Sequence, residues 1–180
     1  MFSSPRTHGP HAAATPPLSP WLCASLASSA FVVPIAMSAS SSPALIHPRT
    51  FAWYASLRQL WFKSLNALIP VAWLGIESGL AYAAYQLLRA PPQPARYRAL
   101  ALLAGNIMAI GGWSRLFFGR KDLGASTVAA AAMVGTGAAL VQQARKVDGS
   151  AARATVPFVA WVGFATVLTA AIWHLNRGRR

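Results

Sequence analysis

Apolar residues in this chain do not alternate with polar ones. They gather into long uninterrupted runs punctuated by cations. Residues 18–39, 66–88, 99–119, 123–144 and 154–176 form five such runs. Each is close to the ~20 residues that a helix needs to cross a hydrocarbon core of ~30 Å. Continuous runs predict helices rather than barrel strands, whose lipid and lumen faces alternate. The connectors 89–98, 120–122 and 145–153 are short and force antiparallel neighbours. The predicted fold is therefore an all-α integral membrane protein, a five-transmembrane-helix up-and-down bundle. The longest connector, 40–65, holds Trp53, Tyr54 and Trp61 and is placed to cover one end of the bundle. Residues 1–17, rich in Pro, Ser, Ala and His, read as a disordered tail. The membrane domain is expected over 18–176, with a basic C-terminal tail at 177–180. Arg6 without an acidic neighbour is compatible with organelle targeting. The small-residue stretch Met37–Ser40 is compatible with signal cleavage, although the length of run 18–39 suits a span better.

Composition sharpens this reading. Hydrophobic residues make up 55% of the chain, mean hydropathy is +0.42, and only 11% of residues are charged, against roughly a quarter in soluble domains. Sixteen Lys and Arg face three acids, a net charge of +13, which calls for an anionic partner. The cations form no stripe on one helix or loop. They flank apolar runs as juxtamembrane anchors do, which favours lipid headgroups and argues against nucleic acid. They divide almost evenly between the two sides, leaving orientation open. The single Cys23 excludes an internal disulfide and any cysteine-based metal site. The four histidines, His8, His11, His47 and His174, are scattered, and no metal site is expected. No P-loop, GxSxG, HExxH or carboxylate pair occurs, so no catalytic residues are assigned.

Candidate chemistry lies in the aromatic residues and one acid. There are seven tryptophans. Trp21, Trp53, Trp61 and Trp173 lie near run ends, as in the aromatic belts at membrane interfaces. Trp73 and Trp161 lie deeper. They either wall a pocket for a flat, mostly apolar ligand or fill gaps between helices. Glu77 is the only acid within a run, and at that depth it should face the interior and find a partner. It is either a polar anchor in a ligand cavity or a group bonded to a neighbouring helix. Arg115 is close enough to its run end to snorkel. Gly75 and Gly79 form a GxxxG pair that serves internal helix packing or a dimer.

Several segments resemble one family in matching order and spacing over residues 51–176. Trp113-Ser114-Arg115-Leu116-Phe117-Phe118-Gly119 resembles the W-S-P-L-F-F-G that ends the third helix of the TspO/MBR (tryptophan-rich sensory protein and translocator protein) family. Val156–Leu168 resembles its fifth helix, and Ile172–Asn176 its closing W-x-L-N. Trp53-Tyr54-Ala55-Ser56-Leu57-Arg58 resembles the segment after the first helix, and Pro70-Val71-Ala72-Trp73 the second helix. There are departures. The family's second-helix Tyr is Glu77, its third-helix Asn is Ile110 with Asn106 one turn earlier, and the Pro of W-S-P is Arg115. The Asn of the fifth-helix L-N is Thr169. No Tyr follows Tyr97, so the C-terminal cholesterol-recognition pattern is absent.

The resemblance implies a membrane protein that binds porphyrins, sterols or similar flat lipophiles as a sensor or translocator. A bound porphyrin or haem would be ligand rather than cofactor. Porphyrin degradation and a pocketless structural or adaptor role are the alternatives. By position, Trp73, Glu77, Trp161, Trp113, Trp53 and Tyr54 are the expected ligand-binding residues. The resemblance further implies a homodimer and, in a eukaryote, the mitochondrial outer membrane or endoplasmic reticulum.

Overall fold

The computed structural model describes residues 18–40, 47–58 and 68–177. The tail expected at 1–17, Trp61 and the last three residues lie outside the described residues. What is described is helical throughout, with six α-helices: α1 (Pro20–Ala39), α2 (Pro48–Ser56), α3 (Leu68–Arg89), α4 (Pro94–Ser114), α5 (Leu123–Arg145) and α6 (Gly149–Asn176). A π-helical turn, Arg115–Gly119, continues α4.

The five long helices close into a ring in which α1 packs on α3, α3 on α6, α6 on α5, α5 on α4, and α4 back on α1. Cross-ring bonds fix the directions. Tyr82 near the end of α3 meets Ser150 at the start of α6, so these helices run antiparallel. Trp113 of α4 meets Ser126 of α5, and Asn106 meets Thr136, again antiparallel. Ser114 and Ser38, both near C-terminal ends, bond at 3.0 Å, so α1 and α4 run parallel. The up-and-down order expected from the short connectors is present.

Small residues share the core with large apolar ones: Ala27, Ala30, Ala83, Ala84, Ala130 and Ala144 are buried beside Leu80, Leu87, Leu103 and Phe158. Large apolar residues such as Leu26, Val71, Leu74, Met108, Val128 and Val167 point outward. Small faces let helix backbones approach closely where lipid removes the hydrophobic drive between helices. Among the described residues four helices are long and apolar enough to cross a membrane: α1, α4 with its π-turn, α5 and α6. The expectation of five spans is met by composition in four. At 22 residues α3 is long enough, and it carries Glu77, Ser78, Tyr82, Tyr85 and Gln86 among its apolar positions.

Helix ends differ from the apolar runs for identifiable reasons. The fourth helix begins at Pro94 rather than 99, because Pro suits the first turn and Arg96 folds inward. Its guanidinium donates to the carbonyls of Leu87 and Leu88 at 2.8 and 2.9 Å, closing the end of α3. The last helix begins at Gly149 rather than 154, because Asp148 caps it, accepting from the Ala151 N–H at 2.7 Å. Asp122 caps α5 in the same way, at 2.9 Å. Lys121 takes a left-handed backbone (φ 57°) that lets three residues reverse the chain between α4 and α5. Two of the three acids are thus spent on helix caps. The third is Glu77.

Candidate functional site: an aromatic pair beside a buried acid

The crossing of α3 and α6 brings together two of the expected residues. Trp73 and Trp161 meet edge to face, with ring centroids 6.3 Å apart and planes at 78°. Phe164 extends the group, 5.7 Å from Trp161. Both indoles are half-buried against the core. The crossing is close because Gly79, further along α3, lies against the Ala154 carbonyl of α6. Edge-to-face rings satisfy the aromatic quadrupole and leave indole faces for a third flat group.

Glu77 follows Trp73 by one helical turn, on the same face of α3. It is 4% exposed and carries no hydrogen bond or ion pair to another described residue. A carboxyl taken out of water without a partner is costly. Polar groups kept at that cost mark functional positions in membrane helices. At the position where the resemblance expects a pocket Asn, Ile110 is buried and apolar. Asn106, one turn earlier, is 1% exposed and fully engaged. Its amide donates to the Leu102 carbonyl and its oxygen accepts from the Thr136 hydroxyl, both at 2.8 Å. It therefore ties α4 to α5.

The other expected residues gather at the end of the bundle, where α2 lies against the π-turn. Trp53 and Tyr54 pack edge-on against Phe117 at 5.9 and 6.2 Å, and Tyr54 also meets Phe118 at 5.7 Å. Trp113 stacks on Phe117 at 5.0 Å and donates its indole N–H to the Ser126 carbonyl at 2.9 Å. Lys121 lies over the ring of Trp53, 5.4 Å from its centre. Burial pushes the Tyr54 hydroxyl above the usual tyrosine range. Asn176 fastens the residues that follow α2. Its side chain accepts from the Arg58 N–H and donates to the Arg58 carbonyl, each at 3.1 Å. Sequence reasoning saw Asn176 only as part of a motif. The described part of the connector, residues 47–58, thus lies against one end of the bundle, with Trp53 and Tyr54 on the π-turn.

At the opposite end, Ser150 bonds Tyr82 and Gln86 of α3 and donates to Asp148. That hydroxyl, with the Ala151 N–H, holds the Asp148 carboxyl below the usual aspartate range. The contacts of Ser150 with Tyr82 and Gln86 went unread because the partners are far apart in sequence. The described residues contain no group of three or more His, Cys, Asp and Glu able to hold a metal.

An apolar exterior, an alanine-lined interior and a ring of long helices define a polytopic helical membrane protein. The chain belongs to the TspO/MBR family, whose model matches residues 30–174. It is similar to the translocator protein of Ovis aries, 32% identical over 133 residues that span 72% of this chain and 78% of the relative. It is similar to those of Sus scrofa, 30% identical over 71% of this chain and 77% of the relative, and Bos taurus, 30% identical over 72% and 78%. This is an integral membrane protein.

Proposed function

We propose that this chain binds a flat lipophilic ligand, a porphyrin or other tetrapyrrole or a sterol, between α3 and α6, and senses or translocates it without altering it. The observation that carries the reading is the Trp73–Trp161 pair with the unpartnered Glu77 one turn away. The indole faces offer stacking area to a fused or macrocyclic ring. The Glu77 carboxyl offers a hydrogen-bond partner to a polar substituent on it, and binding satisfies a group that the fold leaves alone. Family membership and the translocator names of the relatives support a non-enzymatic, ligand-handling role.

In the same reading α3 is a fifth span. It packs along two apolar helices, α1 and α6, turns Glu77 inward, and exposes Val71 and Leu74. The same reading makes the protein a homodimer and, in a eukaryote, a resident of the mitochondrial outer membrane or endoplasmic reticulum.

Titrating the detergent-purified protein with protoporphyrin IX tests the ligand reading. Saturable quenching of tryptophan fluorescence at one ligand per chain is expected. Glu77→Leu should weaken binding about tenfold, the value of one hydrogen bond to a polar ligand group, while Glu77→Gln retains most of it. Linear, non-saturating quenching would reject the proposal.

A further inference from the structure

A groove of about 570 Å³ runs between α1 and α3 on the outer wall of the bundle, within the ~300–1,000 Å³ range of sites that hold small molecules. Its walls include Ala27, Phe31 and Val32 of α1 and Ala81, Tyr82 and Tyr85 of α3. Neither Trp73 nor Trp161 lines it. Two serines in the walls have no donor to spare, because Ser28 and Ser78 each donate to the carbonyl four residues back, Ala24 and Leu74, at 2.9 and 2.7 Å. The walls at depth are mainly apolar and favour a hydrocarbon occupant.

The end of the groove nearest the α3 terminus is different. The Tyr82 hydroxyl is held by Ser150 and Gln86. Arg89 lies over the ring of Tyr85, 5.4 Å from its centre, and spends one N–H on the Tyr85 hydroxyl at 3.3 Å. A guanidinium has five donors, so the rest remain for an anion. The highly exposed Trp21, at the start of α1, marks the headgroup level at this end. Arg98, Arg145, Lys146 and Arg153 lie at the same end. The one acid there, Asp148, is occupied by the cap of α6.

We propose that this groove is a binding site for one anionic phospholipid, one of its two acyl chains between α1 and α3 and its phosphate on Arg89. The alternation of dry wall and unspent cation matches a molecule that is hydrocarbon along its length and a phosphodiester at its end. The site is independent of the proposed ligand pocket, and Trp73→Phe leaves it intact.

Native mass spectrometry of the detergent-released protein, titrated separately with phosphatidylglycerol, phosphatidylcholine and cholesterol, tests this. One phosphatidylglycerol adduct should outlast all others. Arg89→Gln should weaken it about tenfold, the factor for one charge-assisted bond, and Arg98→Gln, a cation at the same end outside the groove, should not. Ala81→Phe and Ser28→Phe, which fill the groove, should remove it. If either filled variant loses helix content by circular dichroism, the two arginine variants decide alone. Equal retention of phosphatidylcholine, or a phosphatidylglycerol adduct indifferent to Arg89→Gln, overturns the proposal. So does retention of cholesterol alone. A change in the monomer–dimer ratio without loss of lipid would make the groove a contact between copies, and overturns it too.

Discussion

The two glycines of the GxxxG pair should behave oppositely when a methyl group is added. A Cβ on Gly75 would meet nothing within 4 Å, whereas a Cβ on Gly79 would lie 2.7 Å from the Ala154 carbonyl oxygen. That oxygen belongs to the backbone of α6 and cannot swing aside. Restoring ordinary contact requires α3 and α6 to part by roughly 0.7 Å, which loosens dispersion contacts along the crossing. Overpacking of this kind costs about 1–3 kcal/mol. Both substitutions gain up to about 1 kcal/mol of helix propensity. Gly75→Ala should therefore be neutral or stabilising, and the two variants should differ by about 1–3 kcal/mol. Unfolding of the purified protein by sodium dodecyl sulfate at fixed micelle composition, followed by circular dichroism, reads the difference. Should Gly79→Ala prove as stable as Gly75→Ala, the close α3–α6 crossing described above is wrong, and with it the geometry that sets Trp73 against Trp161.

Other consequences are as direct. Asn176→Ala removes two bonds to Arg58, worth about 1–3 kcal/mol together; amides of 47–58 should exchange about tenfold faster or more while those of α5 do not, and unchanged exchange at 47–58 would contradict the clamp. Asp148→Ala removes the cap of α6 at a cost of about 1 kcal/mol at neutral pH. Because the folded carboxyl is held below its ordinary value, its contribution is present above the unfolded aspartate value of ~3.9 and is lost as pH falls through the depressed folded value. The stability gap between wild type and variant should close with acidification, and a gap constant with pH would show that the carboxylate is not the source. In a background with Cys23 replaced, single cysteines in 40–65 and 120–122 should label from one side of the membrane and those in 89–98 and 145–153 from the other; labelling of 40–65 and 89–98 from one side would remove α3 as a span.

The helical class and the order of the long helices were legible because a run of apolar residues is a local property. Their ends were less so. Arg96 reads in sequence as one more connector cation, and only the fold shows that it reaches back to cap α3. The nine residues of α2 make too short a segment to announce a helix, and their aromatic rings find their purpose only against Phe117 and Phe118. Nothing in Arg115–Gly119 signals a π-turn. At the site, the burial of Glu77 followed from the cost of an acid within an apolar run. The contact of Trp73 with Trp161 did not follow from spacing, since it depends on α3 and α6 being ring neighbours, although the family resemblance assigned both to one pocket. The fate of Asn106 was hidden for the same reason: its partner Thr136 is 30 residues away on another helix.

The central claim is that the α3–α6 aromatic pair receives a ligand rather than merely filling space. Binding of protoporphyrin IX and thermal unfolding, measured side by side for wild type, Trp73→Phe and Trp161→Phe, test it most directly. Each substitution retains an aromatic ring but removes the larger indole face, so each should weaken binding by about tenfold, within the ~1–3 kcal/mol that aromatic stacking on a flat ring contributes, with the melting temperature little changed. Normal binding accompanied by a clearly lowered melting temperature in both variants would mean that the two rings are packing alone.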